Sequence, residues 1–338
     1  MKALLCYNQN TFKIEDIDKP SLSDSDMLVE MIYTGLCGSD IIKIFDASNK
    51  KPAVYGHEFV GRVVEKGKNV SKFDVGDIVA AAHHIPCYKC HYCTHGNYSM
   101  CRHFKETNIY PGAFSQFIRL STEHIEHTTF KLPENQDIRE AIFIEPLACC
   151  IRAMERVKFM KGDVFSVVGA GAMGILFVQL IRLFGCKAVA IDIDDKRLSL
   201  AKKLGAYHVV NPSKSDILAS IRKITDIGID TVVLTVTNKY TLSDALSYIR
   251  DGGCINVFGV SDKDSCIPID FEKLYKREAT IKSTYSATPE TLKKAYDIII
   301  NKKINVSPLI SEVMNLSNFK TGLDLMLNRK LYKAIFQL

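Results

Sequence analysis

Residues 164–174 read VFSVVGAGAMG, and the largely apolar stretch ILFVQLIRLF, interrupted by Gln179 and Arg182, follows to Phe184. The Val- and Phe-rich start reads as a buried strand, and the run after the glycines reads as an apolar helix. Between them lie Gly169, Gly171 and Gly174. GxGxxG alone occurs by chance; a strand before it and a helix after it give it meaning. In that context Gly169 permits the tight turn, Gly171 lets backbone approach a pyrophosphate, and Gly174 lets helix and strand pack closely. The pyrophosphate would then sit on the helix N-terminus and its free N–H groups. The next strand, residues 188–191, ends in Asp192, 18 residues beyond Gly174. An acid there suits the adenosine ribose hydroxyls. The candidate cofactor-binding residues are Gly169, Gly171, Ala172, Met173, Gly174, Asp192 and Arg197. Asp192 would repel a 2′-phosphate, which favours NAD over NADP, although Lys196 and Arg197 lie close enough to support a phosphate instead.

Outward from this turn, strands and helices alternate from residue 163 to about 285, which implies a parallel sheet with helices on both faces. Helices are expected over residues 198–204, 217–225 and 242–249, and strands over 231–236, 254–260 and 280–285. Before the turn, residues 28–33, 59–66 and 78–82 read as short strands bounded by Gly, Asp and Pro. Residues 141–157 turn helical. After Pro289 come helical stretches over 290–300 and 319–327, then a last strand, KAIFQL. The expected organisation is α/β: a β-rich domain over 1–146, a doubly wound domain over 147–288, and residues 289–338 returning to the first.

The chain has 338 residues, 47% apolar and 24% charged, an ordinary globular composition with material for two cores. Its 44 Lys and Arg against 38 Asp and Glu give +6, spread without basic blocks, so nothing argues for a nucleic-acid partner. No apolar stretch approaches the ~18–20 residues of a membrane span. The start, MKALLCYNQN, has no apolar leader core, so a cytoplasmic location is expected.

Eleven cysteines in such a chain are not expected to form a disulfide framework. Cys87, Cys90, Cys93 and Cys101 fall within 15 residues, while Cys6, Cys37, Cys149, Cys150, Cys186, Cys254 and Cys266 are scattered. Four thiolates at this spacing let the chain curl around a tetrahedral zinc, and a site filled by four sulfurs is closed and structural. A redox pair would want a thioredoxin-like βαβ context, and the spacing differs from common ferredoxin patterns. His91, His95 and His103 interleave with the cysteines but are not needed as ligands.

A second set is dispersed: GLCGSD around Cys37, GHE at 56–58, and EPL at 145–147. Each has a bland reading alone, since a lone Cys is usually a small hydrophobe and a lone His a hydrogen-bonded core residue. Together they supply a thiolate, an imidazole and carboxylates, the donor types that zinc accepts, and three protein ligands leave a fourth position open.

With these motifs together, the chain resembles zinc-dependent medium-chain dehydrogenases of the sorbitol, threonine and galactitol-phosphate dehydrogenase group. The similarity runs through GLCGSD, GHEFVGRVVEKGKNV, the cysteine lobe at about 83–105, FIEPLA, VVGAGAMG and INVSPLIS. It implies a GroES-like catalytic domain beside a Rossmann domain, two zinc ions per chain, NAD, and a homo-oligomer, dimer or tetramer. It implies Cys37, His57 and Glu145 around the catalytic zinc, with Glu58 as fourth ligand or as a partner that exchanges with water. Asp40 would orient His57, and Ser39 would take the substrate proton. The implied reaction is hydride transfer between a secondary alcohol, on a polyol, sugar or sugar derivative, and NAD. The alternatives are a threonine-type amino-alcohol dehydrogenase or an NADP-dependent secondary alcohol dehydrogenase. The chain departs from the group at Ile42, where a relay histidine is usual. It also departs at Ser286 and Ala287, where sorbitol dehydrogenases carry an Arg-Tyr pair, which argues against strict sorbitol specificity. Lys43, Lys105 and Arg119 could serve a phosphorylated or acidic polyol, or be solvated surface charge.

Overall fold

The computed structural model describes residues 1–259 and 267–338; Val260, at the end of one expected strand, and Cys266 lie outside the described residues. Seven strands precede the one that leads into the glycine turn: β1 (Lys2–Asn8), β2 (Thr11–Asp16), β3 (Met27–Gly35), β4 (Glu58–Lys66), β5 (Ile78–Ala81), β6 (Phe117–Leu120) and β7 (Thr129–Lys131). The next six are β8 (Val164–Val168), β9 (Lys187–Ile191), β10 (His208–Val210), β11 (Ile229–Leu234), β12 (Ile249–Val257) and β13 (Thr280–Ser283). Two more, β14 (Ile310–Asn315) and β15 (Lys333–Gln337), follow among the described residues. The chain divides into two units, one of Met1–Ala148 with Ala287–Leu338 and one of Cys149–Ser286.

The second unit is a six-stranded sheet in the order β10-β9-β8-β11-β12-β13, and every pairing is parallel. Its strands read as near-continuous apolar runs because helices cover both faces. Val189, Ile191, Val232, Leu234 and Ile255 build one of the resulting cores. The chain leaves β8 towards β9 on one side and returns to β11 on the other, so a crevice lies beyond the end of β8, where ligands bind in such sheets. The helix Ala172–Leu183 starts there with Gly171 as its N-cap. Two helices begin earlier than their apolar residues suggest, because polar side chains cap them. Asp194 accepts from the N–H groups of Lys196 and Arg197 and starts the helix Asp195–Lys203. Asn238 does the same for Lys239–Tyr248. A short helix, Phe271–Lys276, carries no buried residue and so left no periodic signal.

The first unit holds a sheet in the order β14-β15-β3-β4-β5-β7, with β6 also paired to β3. The strands β1 and β2 form a separate hairpin. The register decides where chemistry gathers. Gly35 at the end of β3 lies opposite Glu58 at the start of β4. Phe59 lies opposite Ala81 at the end of β5, and Ile335 near the start of β15 lies opposite Gly35. Antiparallel pairing thus brings four chain segments to one end of the sheet: residues just after β3, just before β4, just after β5, and the first of β15. The region expected to be helical over 141–157 resolves into a 3-10 turn, Ile138–Phe143, and the helix Ile144–Glu155. Met27, Val29, Phe59, Val63, Phe114 and Phe336 are among the buried side chains of this unit's core.

Candidate active site

Those converging strand ends deliver Cys37, His57 and Glu58. Cys37 is the N-cap of the helix Gly38–Phe45, and Asp40 in its first turn turns back to accept the Cys37 N–H at 3.2 Å. The same buried carboxylate accepts the N–H of Gly56 at 3.2 Å and pairs with Nδ1 of His57 at 3.2 Å. Holding the proton on Nδ1 leaves Nε2 of His57 to meet a ligand. Burial alone would raise the Asp40 pKa, but the charge and hydrogen bond of His57 outweigh it and hold the carboxyl below its usual value. Burial alone would lower the His57 pKa, but Asp40 and Cys37 push it well above the usual imidazole value. The site therefore favours positive charge beside His57.

Donor atoms of Cys37, His57 and Glu58 lie within 4.8 Å of one another. Those of His57, His83 and Glu145 form a second set within 4.8 Å. His57 belongs to both, whereas Cys37 and Glu145 fall in different sets. A thiolate, an imidazole and buried carboxylates around a position that favours a cation fit zinc. A small cavity lined by Phe59, Ala82, Phe130 and Leu292 adjoins Glu58 and Glu145. Ser39 is exposed, and its hydroxyl donates to Cys37 Sγ at 3.3 Å and stands 3.5 Å from His57 Nε2.

The cysteine lobe is separate. Donor atoms of Cys87, Cys90, Cys93 and Cys101 all lie within 4.8 Å of one another. A tetrahedron with Zn–S of about 2.3 Å has sulfur–sulfur edges of about 3.8 Å. The Cys90–Cys93 and Cys87–Cys93 sulfurs are 3.6 and 4.0 Å apart, bracketing that edge. Burial pushes the Cys93 thiol up to about 12, whereas backbone N–H groups, that of Lys89 first, draw Cys87 down to about 6. The lobe's own apolar core amounts to little more than Phe104, Tyr98 and the cysteines. His91 and His95 lie ring against ring, tilted by 37°, and His103 bonds Glu123, consistent with histidines outside the ligand set. Arg119 lies over the Tyr110 ring and reaches the Ser21 carbonyl, so its charge already has local partners.

In the second unit, Gly169 has φ +94°, and a Cβ there would stand 2.4 Å from Thr235 Oγ1. A Cβ on Gly174 would stand 1.8 Å from the Gly169 carbonyl oxygen, which is the helix–strand contact expected of it. A Cβ on Gly171 would meet only Arg197 Nη1 at 3.3 Å, so the backbone there is open to a phosphate with a guanidinium beside it. Ala172 and Met173 open the helix, where N–H groups lack intrahelical acceptors. Asp192 does more than end β9: its two oxygens accept the N–H groups of Ala170 at 2.6 Å and Asp194 at 2.9 Å. The acid expected at the ribose also locks the glycine turn. These residues fit a dinucleotide.

Residues 23–134 match the alcohol dehydrogenase GroES-like domain, and residues 172–301 match the zinc-binding dehydrogenase family. The probable D-xylulose reductase A of Aspergillus clavatus is 32% identical over 316 residues, covering 89% of this chain and 87% of that protein. Sorbitol dehydrogenase of Bacillus subtilis is 29% identical over 333 residues, covering 96% and 93%. The solved structure of an alcohol dehydrogenase from Thermus sp. ATN1 superposes with a TM-score of 0.89 at 26% identity, covering 100% of this chain and 99% of that one. The chain is a zinc-type medium-chain alcohol dehydrogenase. Its GroES-like unit and Rossmann sheet are those expected of an NAD(P)-dependent oxidoreductase. Among the described residues of the dehydrogenase no helix is long and apolar enough to cross a membrane.

Two residues of the dehydrogenase's site were not anticipated. Lys333, 4% exposed, donates to both oxygens of Glu58 at 2.9 and 2.7 Å and reaches the Leu36 carbonyl at 3.4 Å. Burial would lower its pKa, but Glu58, Cys37 and Glu145 raise it, so it stays a cation. Glu58 is thus engaged by an ammonium, not only by whatever His57 binds. His83, just after β5, is 7% exposed, and among the described residues its Nδ1 has no hydrogen-bond partner. Leaving a buried polar atom unpaired costs about 1–3 kcal/mol. Neither residue has a local motif that could have flagged it. Breaking the buried pair should be costly: Lys333→Met should lower stability by about 3–5 kcal/mol in urea unfolding, because it strands Glu58. Glu58→Gln combined with Lys333→Met should recover most of that loss. Equal stability of wild type and Lys333→Met would refute the pair's role.

Proposed function

We propose that this dehydrogenase oxidises a secondary hydroxyl of a polyol, sugar or sugar derivative to the ketone, and the reverse, with NAD and two zinc ions per chain. The observation that carries the reading is the buried donor cluster around His57, with Asp40 orienting the imidazole and Lys333 holding Glu58. Cys37, His57 and Glu145 would hold the catalytic zinc, with Glu58 as a further donor; Cys87, Cys90, Cys93 and Cys101 would hold the structural one. When bound, zinc acts as a Lewis acid on the substrate hydroxyl, as it lowers the pKa of water from 15.7 to about 7, and the nicotinamide takes the hydride. The protein's own work is to place charge and move a proton. Asp40 fixes the His57 tautomer through a 3.2 Å contact. Ser39, exposed and beside Cys37 and His57, takes the hydroxyl proton and releases it to solvent. Ile42, 59% exposed, has no group to relay it. Gly169, Gly171, Ala172, Met173 and Gly174 cradle the pyrophosphate, Arg197 stands beside it, and Asp192 receives the ribose hydroxyls. The polyol class is supported by relatives named for sorbitol and D-xylulose.

A panel of polyols, polyol phosphates, threonine and short secondary alcohols, followed by NADH absorbance, tests the substrate class. Turnover confined to threonine, or to simple alcohols, would overturn it. Metal analysis should approach two zinc equivalents per chain, and Cys93→Ser should lose the lobe's ion. One equivalent that survives in Cys93→Ser, with one in the wild type, would refute the lobe as a zinc site.

Asp192→Ala removes the ribose acceptor and the repulsion of a 2′-phosphate together. It should raise KM for NAD and improve kcat/KM with NADP; a wild type that already prefers NADP would contradict the assignment. Ser39→Ala should lower kcat for alcohol oxidation by about 100- to 10,000-fold with zinc content unchanged, the usual worth of a positioned proton acceptor. Near-wild-type kcat across pH would remove Ser39 from the proton path.

A further inference from the structure

His83 lies within 4.8 Å of donor atoms of both His57 and Glu145. Its ring centroid is 4.4 Å from that of His57, and it is 7% exposed. Its backbone is anchored independently of its ring: the His83 carbonyl accepts from Nε2 of His124 at 3.1 Å. The adjacent His84 is satisfied elsewhere, its Nδ1 donating to the Thr107 carbonyl at 2.6 Å. Among the described residues no group answers Nδ1 of His83, although the side chain is more than nine-tenths buried. Two imidazoles and a carboxylate around one point form a complete donor set for a catalytic zinc, with a fourth position left open.

We propose that His83 is a ligand of the catalytic metal, and that His57, His83 and Glu145 form a second metal position that shares His57 with the position at Cys37 and Glu58. Lys333 engages both oxygens of Glu58, which weakens Glu58 as a donor and gives the nitrogen-rich position its role. Cys37 is then one of two anchors for the ion and is not indispensable for holding it. This inference rests on the metal centre proposed above.

The test uses the full-length protein with cobalt(II) in place of zinc, so that the ion's surroundings are read from its absorption and not from turnover. Wild type should bind one metal beyond that of the cysteine lobe; if it does not, the metal centre itself is wrong and this inference falls with it. Cys37→Ser should lose Cys37's share of the thiolate-to-cobalt charge-transfer absorption, leaving that of the cysteine lobe, yet keep the second ion. His83→Gln, close to the native volume, should weaken metal affinity in chelator competition by about 10–100-fold, the range seen even for partners one step removed from a metal. Cys37→Ser combined with His83→Gln should lose the ion. In His83→Gly, added imidazole should restore the cobalt spectrum, which separates a missing ligand from a disturbed fold. Unchanged metal affinity and an unchanged cobalt spectrum in His83→Gln, with the wild-type ion present, would overturn the proposal. So would equal metal retention by Cys37→Ser and the double variant, or failure of imidazole to alter the His83→Gly spectrum.

Discussion

A lysine and a glutamate buried together, Lys333 and Glu58, set the electrical terms of the first unit. At one end of its sheet the chain gathers Cys37, Asp40, Glu58 and Glu145, four groups that are anionic when ionised, the three carboxylates buried and the thiol half-buried. Such a cluster is costly unless cations compensate it. Lys333 supplies one fixed positive charge, and the imidazole of His57, raised by Asp40 and Cys37, supplies a site where a second is favoured. A divalent metal fits that second place. The ammonium also restricts Glu58, whose carboxylate is tied on both oxygens, so the donor set cannot be read as a simple ring of equals.

How much of this the sequence exposes depends on how local each signal is. The glycine turn was legible because strand, turn, helix and terminal acid follow one another within 29 residues, from Val164 to Asp192. The cysteine lobe was legible because its four donors share one loop. Cys37, His57 and Glu145 could be put together from their donor types, but their assignment to one catalytic zinc came only through the resemblance, since each is unremarkable by itself. Lys333 was invisible: 275 residues separate it from Glu58, and a lysine opening an apolar strand looks like an exposed edge residue. His83 was hidden in the doublet His83-His84, where nothing distinguishes the ring that faces the donor cluster from the one that donates to Thr107. Helix starts were misread for a related reason, because capping by Asp194 and Asn238 is a polar signal, while apolar spacing reports only the buried face.

The two metal-fitting clusters show opposite designs. In the cysteine lobe almost nothing but the sulfurs forms a core, so an ion there would carry the folding energy of the segment. Around His57 the donors rest on a sheet already packed by Phe59, Val63 and Phe336, so an ion could leave without loss of the scaffold. Asp192 follows the second logic: it holds the glycine turn through Ala170 and Asp194 before any ribose arrives.

The path of β15 has a further bearing on how the protein is made. The strand that carries Lys333 comes after the entire Rossmann unit in chain order, yet it pairs with β3 and completes the first unit's sheet. During synthesis, β3, β4 and their acidic cluster emerge early and remain uncompensated while residues 149–286 are still being added. Domains tend to fold as they emerge. Here the inserted unit can finish first, and the unit that began the chain must wait for its last strand. Ribosome-bound chains stopped just short of residue 333 would therefore carry a folded dinucleotide domain tethered to an open, acidic, edge-exposed sheet, and release of a few more residues would close it.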